Sequence, residues 1–371
     1  MLGRRGEPHP ELLQQLGLSS FRQRLPWLGG DLQTLRDTLR PVRLPSDRGE
    51  AIEIAVPVLP SGMAGSGQLL ALLDRPQATL QARGLVLLLH GLGGSSRREG
   101  LRRMACALQT AGFAVLRLNL RGADPGRHLA AGTYAAECNS DLGPVLLRAR
   151  QLCDQLGREG VASRGAVPLL GAGISLGGTM LLNACLEPSH ARAPGQAGLD
   201  GLVCTSSPLD LAACSASIER PRNRVYQRWL LQRLIRQTLA DPFGVTVQER
   251  EVLNGEKGQS PPATIREFDA AITAPRWGYG DVDAYYAGAS PLIALLENPS
   301  RLPPTLLLQA LDDPWVPAEA AQQLAANMSP SSEQRIQVLL TPTAATMVSM
   351  QSEAAGGIRW WPVGCQSLEL D

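Results

Sequence analysis

The stretch Val167-Pro-Leu-Leu-Gly-Ala-Gly-Ile-Ser-Leu-Gly-Gly178 decides the fold of this chain. An apolar run leads into a G-x-S-x-G pattern centred on Ser175, and a run of good helix formers follows it. This order predicts a buried strand, a sharp turn that needs glycines, and a helix. The turn would expose the Ser175 hydroxyl at the carboxyl edge of a sheet, above a helix N-terminus, as a nucleophile. The alternative is a glycine-rich turn with an idle serine.

Strand-like and helix-like segments alternate on both sides of this stretch, which predicts an α/β fold with a mostly parallel central sheet and helices on both faces. The expected strands are Glu53–Val58, Gln68–Leu73, Gly84–Leu89, Phe113–Leu118, Ala166–Gly171, Gly201–Cys204, Thr305–Leu311 and Arg335–Leu340. The expected helices between them are Glu99–Ala111, Leu142–Leu156, Leu176–Cys185 and Ala318–Met328.

The alternation stops between Pro208 and Asn298, where helix-like stretches occur without a good strand candidate. A segment of this length inside an α/β pattern indicates an inserted helical cap rather than a structureless loop. The expected divisions are an N-terminal extension over 1–48, a core in two parts over 49–207 and 299–341, a helical cap insertion over 208–298, and an aberrant tail over 342–371.

A glycine-rich loop, His90-Gly-Leu-Gly-Gly-Ser95, follows an earlier strand. Glycines let the main chain approach a substrate carbonyl, so this loop is a candidate to hold an oxyanion. We expect the hole to be formed by the backbone N–H groups of Leu92 and of Leu176, the residue after the nucleophile. His90 and Gly91 are then structural members of the loop, and His90 is not a general base.

An acidic pair lies in Leu311-Asp-Asp-Pro-Trp-Val-Pro317, at the end of a late strand. An acid placed there, after the serine in the chain, fits the order Ser-Asp-His, in which it orients the histidine and stabilises the imidazolium. The D-x-x-V-P pattern favours Asp313 over Asp312. The alternative is a structural Asp-Asp-Pro turn.

The composition gives few other functional signals. Net charge over 371 residues is +1, which does not suggest nucleic acid as a partner. The seven cysteines are scattered without a metal-ligand spacing, so we expect free thiols, no metal and no cofactor. The N-terminus has no apolar signal-peptide region, and the apolar runs are strand-sized, so the cytoplasm is the expected location.

With these motifs in hand, the chain resembles the YheT-like α/β-hydrolases, a group that also holds animal abhydrolase-domain proteins acting on medium-chain or oxidised phospholipids. The resemblance implies an α/β-hydrolase fold and hydrolysis of carboxylic esters, with Ser175 as nucleophile, Asp313 as acid, and a small-molecule or lipid ester as substrate. It runs from about Pro26 to Leu340. It is carried by Asp31-Leu-Gln-Thr34, Asn119-Leu-Arg-Gly122, the loop from His90, the serine turn and, in the cap, Arg224-Val-Tyr-Gln-Arg228, Ile265-Arg-Glu-Phe-Asp269 and Asp283-Ala-Tyr-Tyr286.

The family's histidine is missing from this sequence. The resemblance leads us to expect L-T-x-H-G-G-H-x-G-F after the last strand, but the chain reads Leu340-Thr-Pro-Thr-Ala-Ala-Thr-Met-Val-Ser-Met350. All four histidines, His9, His90, His128 and His190, precede Asp313. The chain as written therefore lacks a triad base at the usual place, and we expect it to be inactive or nearly so.

The genetic code offers an explanation for this tail. When the codons after Pro342 are read one base earlier, they permit His-Gly-Gly-His-Asn-Gly-Phe-His, which is the expected motif. The hypothesis is a single-base frameshift near Pro342, with the displaced histidine near Thr346. The alternative is natural divergence in a non-catalytic protein that binds a lipid or acyl ligand.

One helical stretch, Val225–Leu239, combines apolar residues with several arginines. It could contact a membrane surface from the cap. The other interpretation is an ordinary cap helix that packs its apolar face over the pocket.

Overall fold

The computed structural model describes residues 43–62, 67–76, 81–159, 165–188, 198–328 and 335–342. The motif Asp31–Thr34, the tail beyond Pro342 and the expected histidine position at Thr346 lie outside the described residues. The hypotheses about them therefore stay predictions.

Eight strands form one sheet in the order β1-β2-β4-β3-β5-β6-β7-β8. They are β1 (Glu50–Val56), β2 (Gly67–Asp74), β3 (Leu85–Leu89), β4 (Ala114–Leu118), β5 (Leu169–Ile174), β6 (Gly201–Thr205), β7 (Thr305–Ala310) and β8 (Ile336–Thr341). β2 pairs antiparallel with β1 and β4, and every other neighbouring pair is parallel. The predicted mostly parallel sheet of an α/β-hydrolase fold is confirmed.

Helices cover both faces of this sheet. They are α1 (Glu99–Thr110), α2 (Asn139–Arg158), α3 (Leu176–Leu186), α4 (Leu211–Ile218), α5 (Arg224–Leu239), α6 (Val247–Asn254), α7 (Ile265–Phe268), α8 (Ala274–Arg276), α9 (Val282–Ala289), α10 (Leu292–Glu297) and α11 (Glu319–Asn327). Side chains of a strand alternate between faces. Leu88 of β3 thus packs with Leu101 of α1, whereas its neighbour Leu87 belongs to the larger core with Leu142 of α2 and Leu181 of α3.

The bounds of β1 and β5 differ from the prediction by two or three residues, and the other strand ends agree to within one residue. Prolines explain the end of β1 and the start of β5. β1 ends at Val56 instead of Val58 because Pro57 has no N–H to donate to a ladder. β5 begins at Leu169 instead of Ala166, after Pro168, whose carbonyl accepts the first bond from the Leu85 N–H at 2.9 Å. The strand then continues through Ile174, so the first two residues of the G-x-S-x-G pattern belong to the sheet.

All of the residues between β6 and β7 (residues 206–304) are described, and they contain helices and no strand. The predicted cap insertion, 208–298, lies within this segment, and the whole segment is called the cap below. The cap is joined to the core by side-chain hydrogen bonds. The Trp277 indole N–H donates to the Thr133 carbonyl at 2.8 Å. The Ala136 N–H donates to the Tyr285 hydroxyl at 2.9 Å. The Asn183 amide, on α3, donates to the carbonyl of Ala136 and to that of a residue at the end of α9.

Within the cap, α7 runs into α8 through a π-helical turn, Asp269–Thr273. Such turns are rare and frequently occur at functional sites. Over the described residues, none of the helices is both long enough and apolar enough to span a bilayer.

Candidate active site

Ser175 stands between β5 and α3 in a strained backbone conformation, with φ 53° and ψ −126°. A side-chain-bearing residue adopts a positive φ only when its surroundings enforce it. Here the Ser175 N–H donates to the Thr205 carbonyl at 2.8 Å, and the Gly178 N–H donates to the Ser175 carbonyl at 2.9 Å. These bonds hold the sharp turn that the sequence predicted, with the serine at the N-terminus of α3.

The glycines of the turn are required by space. A Cβ on Gly173 would lie 2.4 Å from the backbone N and Cα of Gly178, and one on Gly177 would lie 2.6 Å from the His90 carbonyl oxygen. A Cβ on Gly178 would lie 2.0 Å from the Ser207 hydroxyl oxygen. At Gly173 and Gly177 the turn is therefore packed backbone against backbone, which explains the G-x-S-x-G pattern.

The loop after β3 lies beside Ser175 because of the sheet order. β3 pairs with β4 on one side and with β5 on the other, and Leu89 is opposite Gly173. The chain thus changes direction at β3, which is where open α/β sheets place their binding crevices. A Cβ on Gly91 would lie 3.0 Å from the Ser175 Cβ, so the loop main chain approaches the serine closely.

Leu92 and Leu176 lie on the two segments that meet at Ser175, and both contribute to the wall of the same cavity. The Leu176 N–H is the first of α3 and has no carbonyl partner within its own helix. A substrate oxyanion placed between these two segments could accept from both N–H groups.

His90 is buried and holds the loop together. Its Nδ1 is 2.9 Å from the Gly91 carbonyl oxygen, and its Nε2 accepts from the Leu120 N–H at 3.3 Å. Burial lowers the pKa of His90 to about 4, so the ring is neutral at pH 7 with its proton on Nδ1. With both nitrogens engaged, His90 has no free position from which to take a proton from Ser175.

Asp313 follows β7, two strands away from Ser175 in the sheet. Its carboxylate oxygen Oδ1 accepts from the Trp315 N–H at 2.9 Å and the Val316 N–H at 3.0 Å. Burial raises the pKa of Asp313, against the lowering effect of these two donors and of the Ser206 hydroxyl. The Ser206 hydroxyl follows β6, the intervening strand. The two N–H bonds are those of a turn, so the turn and an oriented carboxylate are compatible roles.

This turn borders two cavities. Trp315 and Val316 contribute to the cavity that contains Ser175, whereas Asp312 and Asp313 line a neighbouring depression of about 470 Å³. The Trp315 ring also contacts Tyr226 of α5 edge to face, at 5.3 Å between ring centroids. The loop that carries Asp313 is thus packed against the cap.

The Ser175 cavity has a volume of about 300 Å³, within the usual size of ligand sites. It lies between the core and the cap, and its wall is mainly apolar and aromatic. From the core it takes Gly91, Leu92, Tyr134, Ser175, Leu176, Trp315 and Val316; from the cap it takes chiefly Leu211, Ile218, Leu230, Leu234, Ile265, Phe268, Asp269, Tyr285 and Tyr286.

Three residues of this cavity were not recognised from the sequence: Tyr134, Trp315 and Asp269. Tyr134 fixes the loop, because its hydroxyl accepts the Gly93 N–H at 2.6 Å and its ring packs edge-on against His90. In the sequence, Asp269 could be noticed only as the last residue of the Ile265–Asp269 motif. That motif supports the resemblance to the YheT-like hydrolases but does not indicate a chemical role.

The thiols offer no competing chemistry. The six cysteines in the described part of the chain are free, and burial raises the pKa of Cys185, on α3, to about 12. A thiol of this kind stays protonated and unreactive at pH 7. Across the described ranges, no group of histidine, cysteine and acidic side chains could hold a metal ion.

Comparison with known proteins identifies the family. The alpha/beta hydrolase family matches residues 86–341. The phospholipase ABHD3 of Bos taurus is 29% identical over 249 residues, which are 67% of this chain and 55% of the relative. YheT of Escherichia coli K12 is 30% identical over 245 residues, 64% of each chain.

The medium-chain fatty acid ethyl ester synthase/esterase 2 of Saccharomyces cerevisiae is 28% identical over 254 residues, covering 62% of this chain and 51% of the relative. The chain thus spans about half the length of the mammalian and yeast relatives. The family match and these relatives agree with the sheet order and the serine turn. The chain belongs to the alpha/beta hydrolase family, as one of its YheT-like members.

Proposed function

We propose that this site is that of a serine hydrolase of carboxylic esters. The observation that carries the proposal is the strained Ser175 backbone at the start of α3, beside the Leu92 loop and open to a mainly apolar cavity. A nucleophile, two candidate oxyanion donors and a place for an acyl or alkyl chain thus meet at one point.

The proposed mechanism proceeds through an acyl-enzyme. The Ser175 oxygen attacks the ester carbonyl while a histidine takes its proton, and the N–H groups of Leu92 and Leu176 stabilise the oxyanion. The histidine returns the proton to the leaving alcohol, and water then releases the acid. Asp313 orients the histidine and stabilises its charged form.

The histidine has to come from the tail. No histidine follows Asp313 in the sequence as written. We propose that a single-base frameshift near Pro342 displaced it from about the place of Thr346. Resequencing the gene around codons 340–350 tests this directly. An intact reading frame in that stretch contradicts the frameshift.

The proposed substrate is a small-molecule or lipid ester. The apolar cavity favours a hydrocarbon chain, and two relatives carry the names phospholipase and fatty acid ethyl ester synthase/esterase. The proposed location is the cytoplasm, which rests on the sequence alone.

We also propose a peripheral contact between the cap and an anionic membrane surface. Val225 and Trp229 of α5 are 80% and 52% exposed. Arg228 and Arg236 are exposed on the same helix. Residues 220–240 contain six arginines and no acidic residue, although the whole chain has a net charge of +1. Exposed apolar groups beside arginines fit a surface of anionic head groups.

The rival function is non-catalytic binding of a lipid or acyl ligand in the same cavity. A fluorophosphonate probe separates the two, because it labels a serine only when the hydroxyl is activated. We expect a chain translated in the shifted frame from Pro342 to be labelled at Ser175, and its Ser175→Ala variant to remain unlabelled. Absence of labelling in the shifted-frame chain would favour the binding protein.

A further inference from the structure

The cavity at Ser175 contains one carboxylate that no cation neutralises within the described residues. Two charged side chains contribute to its wall, Arg121 and Asp269. Arg121 is already paired, because its guanidinium binds both carboxylate oxygens of Asp141 at 2.6 and 2.9 Å in a buried ion pair. The cavity therefore holds the charge of Asp269 without compensation.

Neutral hydroxyl groups hold the Asp269 carboxylate in place. The Thr273 hydroxyl donates to its Oδ1 at 2.7 Å, and the Tyr286 hydroxyl donates to its Oδ2 at 2.9 Å. Burial raises the pKa of Asp269 to about 6, against the lowering effect of these two donors, so the group is mostly ionised at pH 7. Each oxygen keeps a further lone pair for a ligand.

Asp269 and Thr273 are the first and last residues of the π-helical turn in the cap. A turn of this kind interrupts regular helical hydrogen bonding and frequently occurs at functional sites. The carboxylate and its hydroxyl donor, four residues apart on this segment, both lie at the wall of a cavity that is otherwise mainly apolar.

Aromatic rings surround this carboxylate. Phe268, Tyr134, Tyr285 and Tyr286 contribute to the same cavity. Burial is the main cause that raises the pKa values of Tyr285 and Tyr286, and the negative charge of Asp269 is the second. Both rings therefore lie within the electrostatic field of this carboxylate. A carboxylate among aromatic rings is the environment that stabilises an ammonium group, by charge and by cation–π attraction.

We propose that the Asp269 region of the cavity binds a positively charged group of the ammonium class, carried by a ligand whose alkyl chain occupies the apolar wall. This ligand is a substrate only if the proposed ester hydrolysis is correct. The binding itself requires neither Ser175 nor a histidine, so the two proposals can fail separately.

Calorimetric titration with three amphiphiles that share one chain tests the proposal: octyltrimethylammonium, 1-octanol and octyl sulfate, each below its aggregation concentration. The wild-type protein should bind the cation about tenfold more tightly than the alcohol, and the sulfate most weakly. Ser175→Ala should leave this order unchanged. Equal affinities for the three would overturn the proposal without using any variant.

Asp269→Asn keeps the shape of the side chain and removes its charge. It should reduce the preference for octyltrimethylammonium to near that for 1-octanol, with the affinity for 1-octanol retained. The matched control is Asp283→Asn, since Asp283 is an exposed cap carboxylate paired with Arg266 outside this cavity. A selectivity that survives in folded Asp269→Asn, or that Asp283→Asn removes equally, contradicts the proposal.

Discussion

The serine turn and the cap that faces it are held in different ways. At the turn, main chain packs against main chain, and the Gly173 position has no room for a single methyl group. The cap is held mainly by side chains: within it the Arg276 guanidinium binds Glu249 at 2.6 Å, and Trp277 bonds to Thr133 of the core at 2.8 Å. A backbone-packed site tolerates little change, whereas a side-chain-held cover can vary around it. In the proposed function, the chemistry belongs to the first region and the selectivity to the second.

The largest expected effect concerns the chemistry itself. A chain translated in the shifted frame from Pro342 should hydrolyse p-nitrophenyl esters about three to six powers of ten faster than the chain as written, because the serine regains its base. Initial rates at pH 8 measure this. Ser175→Ala in the shifted-frame chain should return the rate to background. Equal rates for the two chains would mean that the tail supplies no base.

The next effect separates the two regions by stability. Gly173→Ala should lower the free energy of unfolding by about 3 kcal/mol, because the new methyl group meets backbone atoms that cannot rotate away. Gly280→Ala in the cap is the matched control, since nothing lies within 4 Å of its Cβ position. It should change the free energy by less than about 1 kcal/mol. Urea denaturation measures both, and similar losses would remove the distinction between the regions.

A third test concerns the outer face of the cap. Arg228→Gln combined with Arg236→Gln should weaken binding to phosphatidylglycerol vesicles by about 2 kcal/mol, since each arginine near an anionic surface contributes about 1 kcal/mol. Vesicle sedimentation at low salt measures the change.

The control for the vesicle test is Arg148→Gln combined with Arg158→Gln, which removes the same charge from α2, where Arg158 is exposed and Arg148 is partly exposed. An equal loss in this control would indicate attraction by overall charge, and the α5 face would then have no special role.

The smallest effect is the loss of one bond between cap and core. Trp277→Phe removes the indole donor to the Thr133 carbonyl and should cost about 1 kcal/mol. Hydrogen exchange should increase in α8 and α9 and remain unchanged in β3 and β5. Trp229→Phe serves as control because that ring is half exposed. An increase spread evenly over the sheet would show that the cap does not open as a separate unit.

The sequence was most informative where the backbone is most constrained. Ser175 and the Leu92 loop could be placed because only glycines permit such close packing, and because the strand before each is a continuous apolar run. The start of β5 was predicted three residues too early, because a pattern of apolar residues does not show that Pro168 lacks an N–H.

Asp269 could not have been recognised from its neighbours in the sequence. Its donor Thr273 lies four residues further along the same helical segment, but its second donor, Tyr286, comes from another helix. Helical periodicity gives the face of a residue in a regular helix. It gives neither an irregular turn nor the tertiary partners that bring a carboxylate into a cavity.

The contact between Tyr226 and Trp315 has a consequence for how such proteins diverge. Trp315 gives its N–H to Asp313, and its ring meets a cap helix. A mutation that reshapes the cap near Tyr226 for a different ligand therefore also disturbs the turn that holds the proposed acid. We expect the cap and this turn to change together during divergence. Replacing this cap by the cap of another protein would therefore require a compensating change at Trp315. Without that change, we expect the new ligand selectivity to come with a lower rate of the proposed hydrolysis.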